Sequence, residues 1–205
     1  MQSINKQVAS NCVLTDLFIG QDADVVYDVG EGGLLNLNAL AIGNQVNFKV
    51  RLLGSKAQVN VKCVYLSSAN NDNVINFNIE HETGQTCSAQ VVKGIAAQTG
   101  KTDFYGRIRI YKDSQQCEGS QIHHGLLLSD QAHIKATPEL EIYADDVKCS
   151  HGSSVGNLDQ NALFYLSSRG IDEKTARQLL IKAFLLSDMP VEFEQKITEW
   201  TEKYE

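Results

Sequence analysis

From about Asn5 to Asp146 the chain alternates apolar and polar positions in short runs, the period-2 pattern of strands with one buried face. Val59, Val61, Cys63 and Tyr65 form one run, Ile75, Phe77, Ile79 and His81 a second, and Phe104, Ile108 and Ile110 a third around Gly106. Gly30-Glu31-Gly32-Gly33, Gly43-Asn44, Gly54-Ser55, Asn70-Asn71-Asp72, Gly84-Gln85 and Gly100 interrupt the runs at intervals of roughly 10 to 16 residues. That spacing suits a sandwich, a barrel or a β-helix, and no motif of fixed length recurs to choose among them.

After Gly156 the period becomes helical. Asn157 is predicted to cap a first helix with Gln160 as its capping-box partner. Leu158, Ala162, Leu163, Tyr165 and Leu166 follow, and Arg169-Gly170 ends it. Asp172 is predicted to cap a second helix, buried along Ala176, Leu179, Leu180, Ala183 and Phe184. Pro190 opens a third, with Phe193, Ile197, Trp200 and Tyr204 on one side. The predicted organisation is a β core over 1–156 and a small helical region over 157–205.

Composition tilts the choice of β architecture. Fourteen Asn, 15 Gln and 15 Gly exceed a fifth of the 205 residues, and there are two prolines. Asn and Gly supply left-handed turn positions, and amide side chains bond to like neighbours at the strand spacing, so stacked β-helical coils are favoured over the competing sandwich. With 25 acidic against 18 basic residues, the net charge of −7 offers no footprint for nucleic acid or an anionic membrane. The apolar runs are also too short to cross a bilayer. Five cysteines, 24 to 51 residues apart, form no CxxC pair, and no signal peptide precedes them. A reducing cytoplasm is expected, without a self-contained zinc site.

Three groups invite a chemical reading. Gly100-Lys101-Thr102 ends like a phosphate-binding loop, but position 95 is Ile95 and the residues that follow read as a strand, so no nucleotide is expected on this chain. His81 between Glu80 and Glu82, and His123-His124 near Glu118, read as surface or core histidines, because strand neighbours point to opposite faces. No Ser-His-Asp set or nucleophile elbow is evident. The third group is Asp145-Asp146-Val147-Lys148-Cys149-Ser150-His151-Gly152, where thiol and imidazole two apart share one face of a strand. Such a pair suits iron, zinc or an iron-sulfur cluster and leaves positions for a partner's ligands, with Lys148 placed to favour the thiolate. A buried cysteine beside a turn histidine is the competing reading.

The stretch Thr137-Pro138-Glu139-Leu140-Glu141-Ile142-Tyr143-Ala144 running into that octapeptide resembles the SufB/SufD family of iron-sulfur cluster assembly proteins. Leu126-Leu127-Leu128-Ser129, Val155-Gly156, Leu163-Phe164-Tyr165-Leu166, Ser168-Arg169-Gly170-Ile171 and Ala183-Phe184 extend the resemblance from about Ile75 to Phe184. The Lys-Cys-Ser-His-Gly form looks like SufD. The resemblance implies a right-handed parallel β-helix with a small C-terminal helical domain, acting as a non-catalytic scaffold. It implies pairing with a SufB-like protein through β-helix ends, docking of a SufC-like ATPase on the helices, and a nascent cluster shared with SufB.

His151 matches the SufD histidine at that interface, and Cys149 its neighbouring cysteine. The alternatives are the SufB-type paralogue and a β-helix enzyme acting on polysaccharide. The enzyme requires a ladder of carboxylates and bases along one strand face, which is not evident in the sequence. Family members are about twice this length with an N-terminal helical region, so a truncated core is expected, with an open coil inviting homodimers.

Overall fold

The computed structural model describes residues 1–186 and 189–204. Among these, twelve strands precede three helices: β1 (Gln2–Val8), β2 (Val13–Ile19), β3 (Ala23–Val29), β4 (Leu34–Ile42), β5 (Gln45–Leu52), β6 (Gln58–Ser67), β7 (Asn73–His81), β8 (Cys87–Ala96), β9 (Lys101–Ile110), β10 (Cys117–Leu127), β11 (His133–Ile142), β12 (Val147–Asn157), α1 (Gln160–Ser168), α2 (Glu173–Leu186) and α3 (Val191–Tyr204). Odd strands form one parallel sheet in the order β1-β3-β5-β7-β9-β11, and even strands a second in the order β12-β10-β8-β6-β4-β2. Each coil therefore contributes one strand to each sheet, and the fold is a parallel β-helix with a helical tail. The offset between stacked strands grows from 21 residues at Gln2↔Ala23 to 32 at Lys101↔His133. Corners of unequal length explain why no fixed repeat is legible in the sequence.

The amide and glycine surplus serves these coils in two ways. Asn11, Asn70, Gln85, Gln98 and Gln116 hold positive φ at corners. Side-chain amides also bond coil to coil: Asn47 donates to Asp24 at 2.6 Å, Asn76 to Asn47 at 2.6 Å, and Asn60 to Asn36 at 3.0 Å. Between the sheets, Phe18 meets Phe48 edge-on at 5.1 Å and Phe48 stacks on Phe77 at 4.6 Å. Gly94 is needed because the Tyr65 ring occupies the place of its side chain. An added Cβ would lie 2.0 Å from that ring. Gly94→Ala is expected to cost about 1–3 kcal/mol through overpacking. Thermal unfolding should register it as a fall of several degrees, at about 2–4 °C per kcal/mol.

The helices cover the outer face of the second sheet, where Leu40, Val64, Leu66 and Ile95 pack against Leu163, Ile181, Phe193, Ile197 and Trp200. Two expectations need correction. The first helix is capped by Asp159, whose carboxylate accepts from the Asn161 amide, while Asn157 still belongs to β12 because its strand pairs with Leu127. On α2 the buried line is Ala176, Ile181 and Leu185, with Leu180 and Phe184 partly buried and Leu179 46% exposed. The stripe is turned because the sheet contacts α2 on one side and α3 supports it on another. Asp172 caps α2 as expected, accepting from the Thr175 amide at 3.0 Å.

Candidate functional site

The site lies on the last coil. β12 pairs with β10 along its whole length, from Cys117↔Val147 to Leu127↔Asn157, and is the edge strand of its sheet. Its other edge presents 11 residues of backbone donors and acceptors, most of them exposed. Period-2 alternation then settles the side chains. Cys149 sits opposite Gly119 and His151 opposite Gln121, and Gly119 and Gln121 both face the interior. Cys149 and His151 therefore share the inward face of a strand at the open end of the helix, with His151 exposed and Cys149 half-buried against the core. The spacing expectation holds.

Lys148 does not assist the thiol. It points to the outer face, where it pairs with Glu118 at 3.3 Å with both groups largely in solvent. Burial instead pushes the Cys149 thiol above its ordinary value, only partly opposed by the Gly119 backbone bond, so the isolated chain favours the thiol. A metal ion or another cation would have to draw the proton off. Cys87 also faces outward, in a groove of about 360 Å³ with Gln58, Asn60, Ala89, Glu118 and Lys148, and burial followed by Glu118 raises its thiol too. All five cysteines are free. Among the described residues no three His, Cys, Asp or Glu side chains converge on one point, so Cys149 and His151 stand as two donors.

Behind the pair the interior turns polar. Following the strand register, Leu37, Val61, Gln90, Gln121 and His151 stack in one inward column, and Leu35, Val59, Ser88, Gly119 and Cys149 in the next. A third runs Ala39, Cys63, Val92, His123, Ser153. His123 is fully buried, stacked between Tyr65 at 5.8 Å and Phe104 at 5.1 Å. Its Nε2 is hydrogen-bonded to the Tyr65 hydroxyl at 2.9 Å and its Nδ1 to Ser153 Oγ at 3.0 Å. On the outer face His124 Nδ1 meets Ser154 Oγ at 2.8 Å. Two adjacent histidines thus hold the edge strand from both faces, two and three residues beyond His151. His81 is buried as well, bound to Thr86 at 2.8 Å and Ser88 at 2.9 Å, while Glu80 leaves to the other face and pairs with Lys49. Sequence reasoning passed over Gln90, Gln121 and Ser153; their parity with Gly119 and Cys149 was the available signal.

The outer face of the first sheet corrects another expectation. A ladder of charges does run along it: Asp28, Arg51, Glu80, Arg109 and Glu141 stack in register. Its members are paired, Arg51 with Asp28 at 2.5 Å, Glu80 with Lys49 at 3.1 Å, and Glu141 with Arg107 and Arg109. Hydrogen bonding from Arg109 lowers the Glu141 carboxyl, which suits an ion pair and not a general acid. Gly100-Lys101-Thr102 lies at the turn into β9 with no helix after it, so no phosphate cradle forms there. No helix among the described residues is long and apolar enough to cross a membrane.

Comparison with known proteins bears on this arrangement. Residues 21–184 match the family described as SUF system FeS cluster assembly, SufBD core domain. The chain is 42% identical over 106 residues to the iron-sulfur cluster assembly protein SufD of Escherichia coli, covering 52% of this chain and 25% of that one. It is 31% identical over 189 residues to the chloroplastic protein ABCI7 of Arabidopsis thaliana, covering 88% and 37%. An iron-sulfur cluster assembly SufBD family protein of Synechocystis is 28% identical over 207 residues, covering 88% and 45%. The chain thus spans between a quarter and a half of the length of these relatives.

Proposed function

The chain belongs to the SufBD family of iron-sulfur cluster assembly proteins, and we propose that it acts there as a SufD-type scaffold subunit. The observation that carries this is the placement of Cys149 and His151 on the inward face of an 11-residue edge strand. In this reading β12 pairs with the matching edge of a SufB-type partner by strand addition. The partner's residues complete the coordination that two donors leave open, and the nascent cluster is cargo assembled between the subunits. The β core, 1–156, supplies that interface, and the helical region, 157–205, docks a SufC-type ATPase on its exposed faces. The chain itself turns over no substrate, and the setting is the cytoplasm. Alone, the same edge would favour homodimers.

The test is co-purification. Tagged chain is mixed with a purified SufB-type protein, with and without a SufC-type protein, and bound iron and cluster absorbance are read after gel filtration. Co-elution with the SufB-type protein and cluster signal only in its presence are expected. Equal cluster signal on the chain alone supports the SufB-type role instead, and failure to bind either partner defeats both readings.

A further inference from the structure

Polar side chains that are Cα partners across β10 and β12 meet at the coil spacing. Glu118 holds Lys148 at 3.3 Å, His123 holds Ser153 at 3.0 Å and His124 holds Ser154 at 2.8 Å. Gln121 and His151 are partners in the same ladder and share its inward face. Gln121 is fully buried, and neither of its amide atoms has a hydrogen-bond partner among the described residues. Its place is built: the amide nitrogen lies 1.9 Å from where a Cβ on Gly106 would be, so the carboxamide reaches the opposite sheet and only glycine leaves it room. One coil further on, His151 follows Gln121 and Pro138 follows Gly106. The imidazole, exposed at the open end, thus has the Gln121 carboxamide one coil spacing beneath it. Its other neighbours on that face are spent or silent. His123 has both ring nitrogens bonded, Ser153 is bound to His123, Gly119 has no side chain, and Cys149 is the companion donor.

We propose that Gln121 is a positioning residue for His151, an inference that rests on the Cys149 and His151 reading above. A partner subunit seated on β12 takes the His151 ring out of water. One ring nitrogen then serves as a lone-pair donor toward the iron of the nascent cluster, and the other carries a proton that needs an acceptor. The Gln121 carbonyl oxygen supplies it, in the same manner as the His123 and His124 bonds of this ladder. The bond sets the tautomer and the plane of the ring. A carboxamide does this without adding charge to the site, and its own unsatisfied oxygen gains a donor when the coil is closed.

Ferrous iron titrated anaerobically into the complex of the full chain with a SufB-type protein tests it. Gln121→Met should bind iron about 10–100-fold more weakly. Its melting temperature should be no lower than that of the unsubstituted chain, since an unpaired amide leaves the interior. Gln121→Glu, which keeps an acceptor of the same reach, should restore most of the affinity. The double variant His151→Ala, Gln121→Met should be no weaker than His151→Ala alone, because the two residues act as one unit. Unchanged affinity in Gln121→Met beside a loss in His151→Ala overturns the positioning role and leaves the scaffold reading standing. Full affinity in His151→Ala overturns both. A further loss in the double variant, or no recovery with Gln121→Glu, means that Gln121 acts apart from His151 and overturns the proposal too. If Gln121→Met does not fold, Gln121→Asn replaces it: one methylene shorter, it should lose the affinity that Gln121→Glu keeps, and equal affinities overturn the proposal.

Discussion

His151→Ala is expected to leave the fold intact and to abolish cluster formation in a reconstituted mixture with SufB-type and SufC-type proteins. The imidazole is exposed and, among the described residues, its ring makes no bond that holds the coil together, so the substitution belongs with surface changes worth within about 0.5 kcal/mol. Circular dichroism and the melting temperature should therefore match those of the unsubstituted chain. Cluster absorbance should fall at least tenfold, because in the proposed interface removing one of two donors leaves this chain's side with a thiol that burial keeps protonated. Cys149→Ser should lose less. Gel filtration of the mixture is the necessary control: the His151→Ala chain should still co-elute with the SufB-type protein, since strand pairing uses backbone groups. Unimpaired cluster formation by that variant would remove His151 from the site.

How far these features can be read without coordinates depends on the range of the physics behind them. Alternation along β6, β7 and β9 is a local property, and the residues it marked for the core, such as Val61, Phe77 and Ile108, are buried. The same parity put Cys149 and His151 on one face before any pairing was known. Stacking is not local. Which residue of β8 lies beside Gln121 depends on corners of unequal length, so the column Gln90, Gln121, His151 emerges only with the register. The charge ladder of the first sheet escaped for the same reason, since its members are 23 to 32 residues apart. The turned face of α2 is also non-local: a 3.6-residue period fixes that one side is apolar, but Ile181 and Leu185 are chosen by the sheet and helix they meet. Asn157 illustrates the remaining case. Its residue type suits a cap, but β10 extends the ladder to Asn157, and strand pairing decides its conformation.

His123→Ala is expected to destabilise the chain by roughly 3 kcal/mol or more at neutral pH, combining a lost buried ring with broken hydrogen bonds. The ring stacked between Tyr65 and Phe104 would be gone, the Tyr65 hydroxyl would lose its bond inside the core, and Ser153 would lose the inner latch on β12. The effect has a pH signature that a cavity alone lacks. Burial holds His123 down at about 4, with a smaller contribution from His124, and burial holds His81 at about 4 as well. An unfolded histidine titrates near 6.5. Between about pH 4 and 6.5 the unfolded chain therefore binds more protons than the folded one. Stability is complete above pH 6.5 and declines as pH falls toward 4, by roughly 3 kcal/mol for each histidine. Urea unfolding across that range should show the decline in the unsubstituted chain and about half of it in His123→Ala, where His81 alone remains. The two curves should thus converge as the solution is acidified. Parallel curves would mean that His123 is already charged or solvated in the native state, and that the Tyr65–His123–Ser153 chain does not hold the edge strand. Convergence would show a neutral buried imidazole anchoring the strand that carries Cys149 and His151, so that acid loosens the candidate site before the helical tail, whose core contains no histidine.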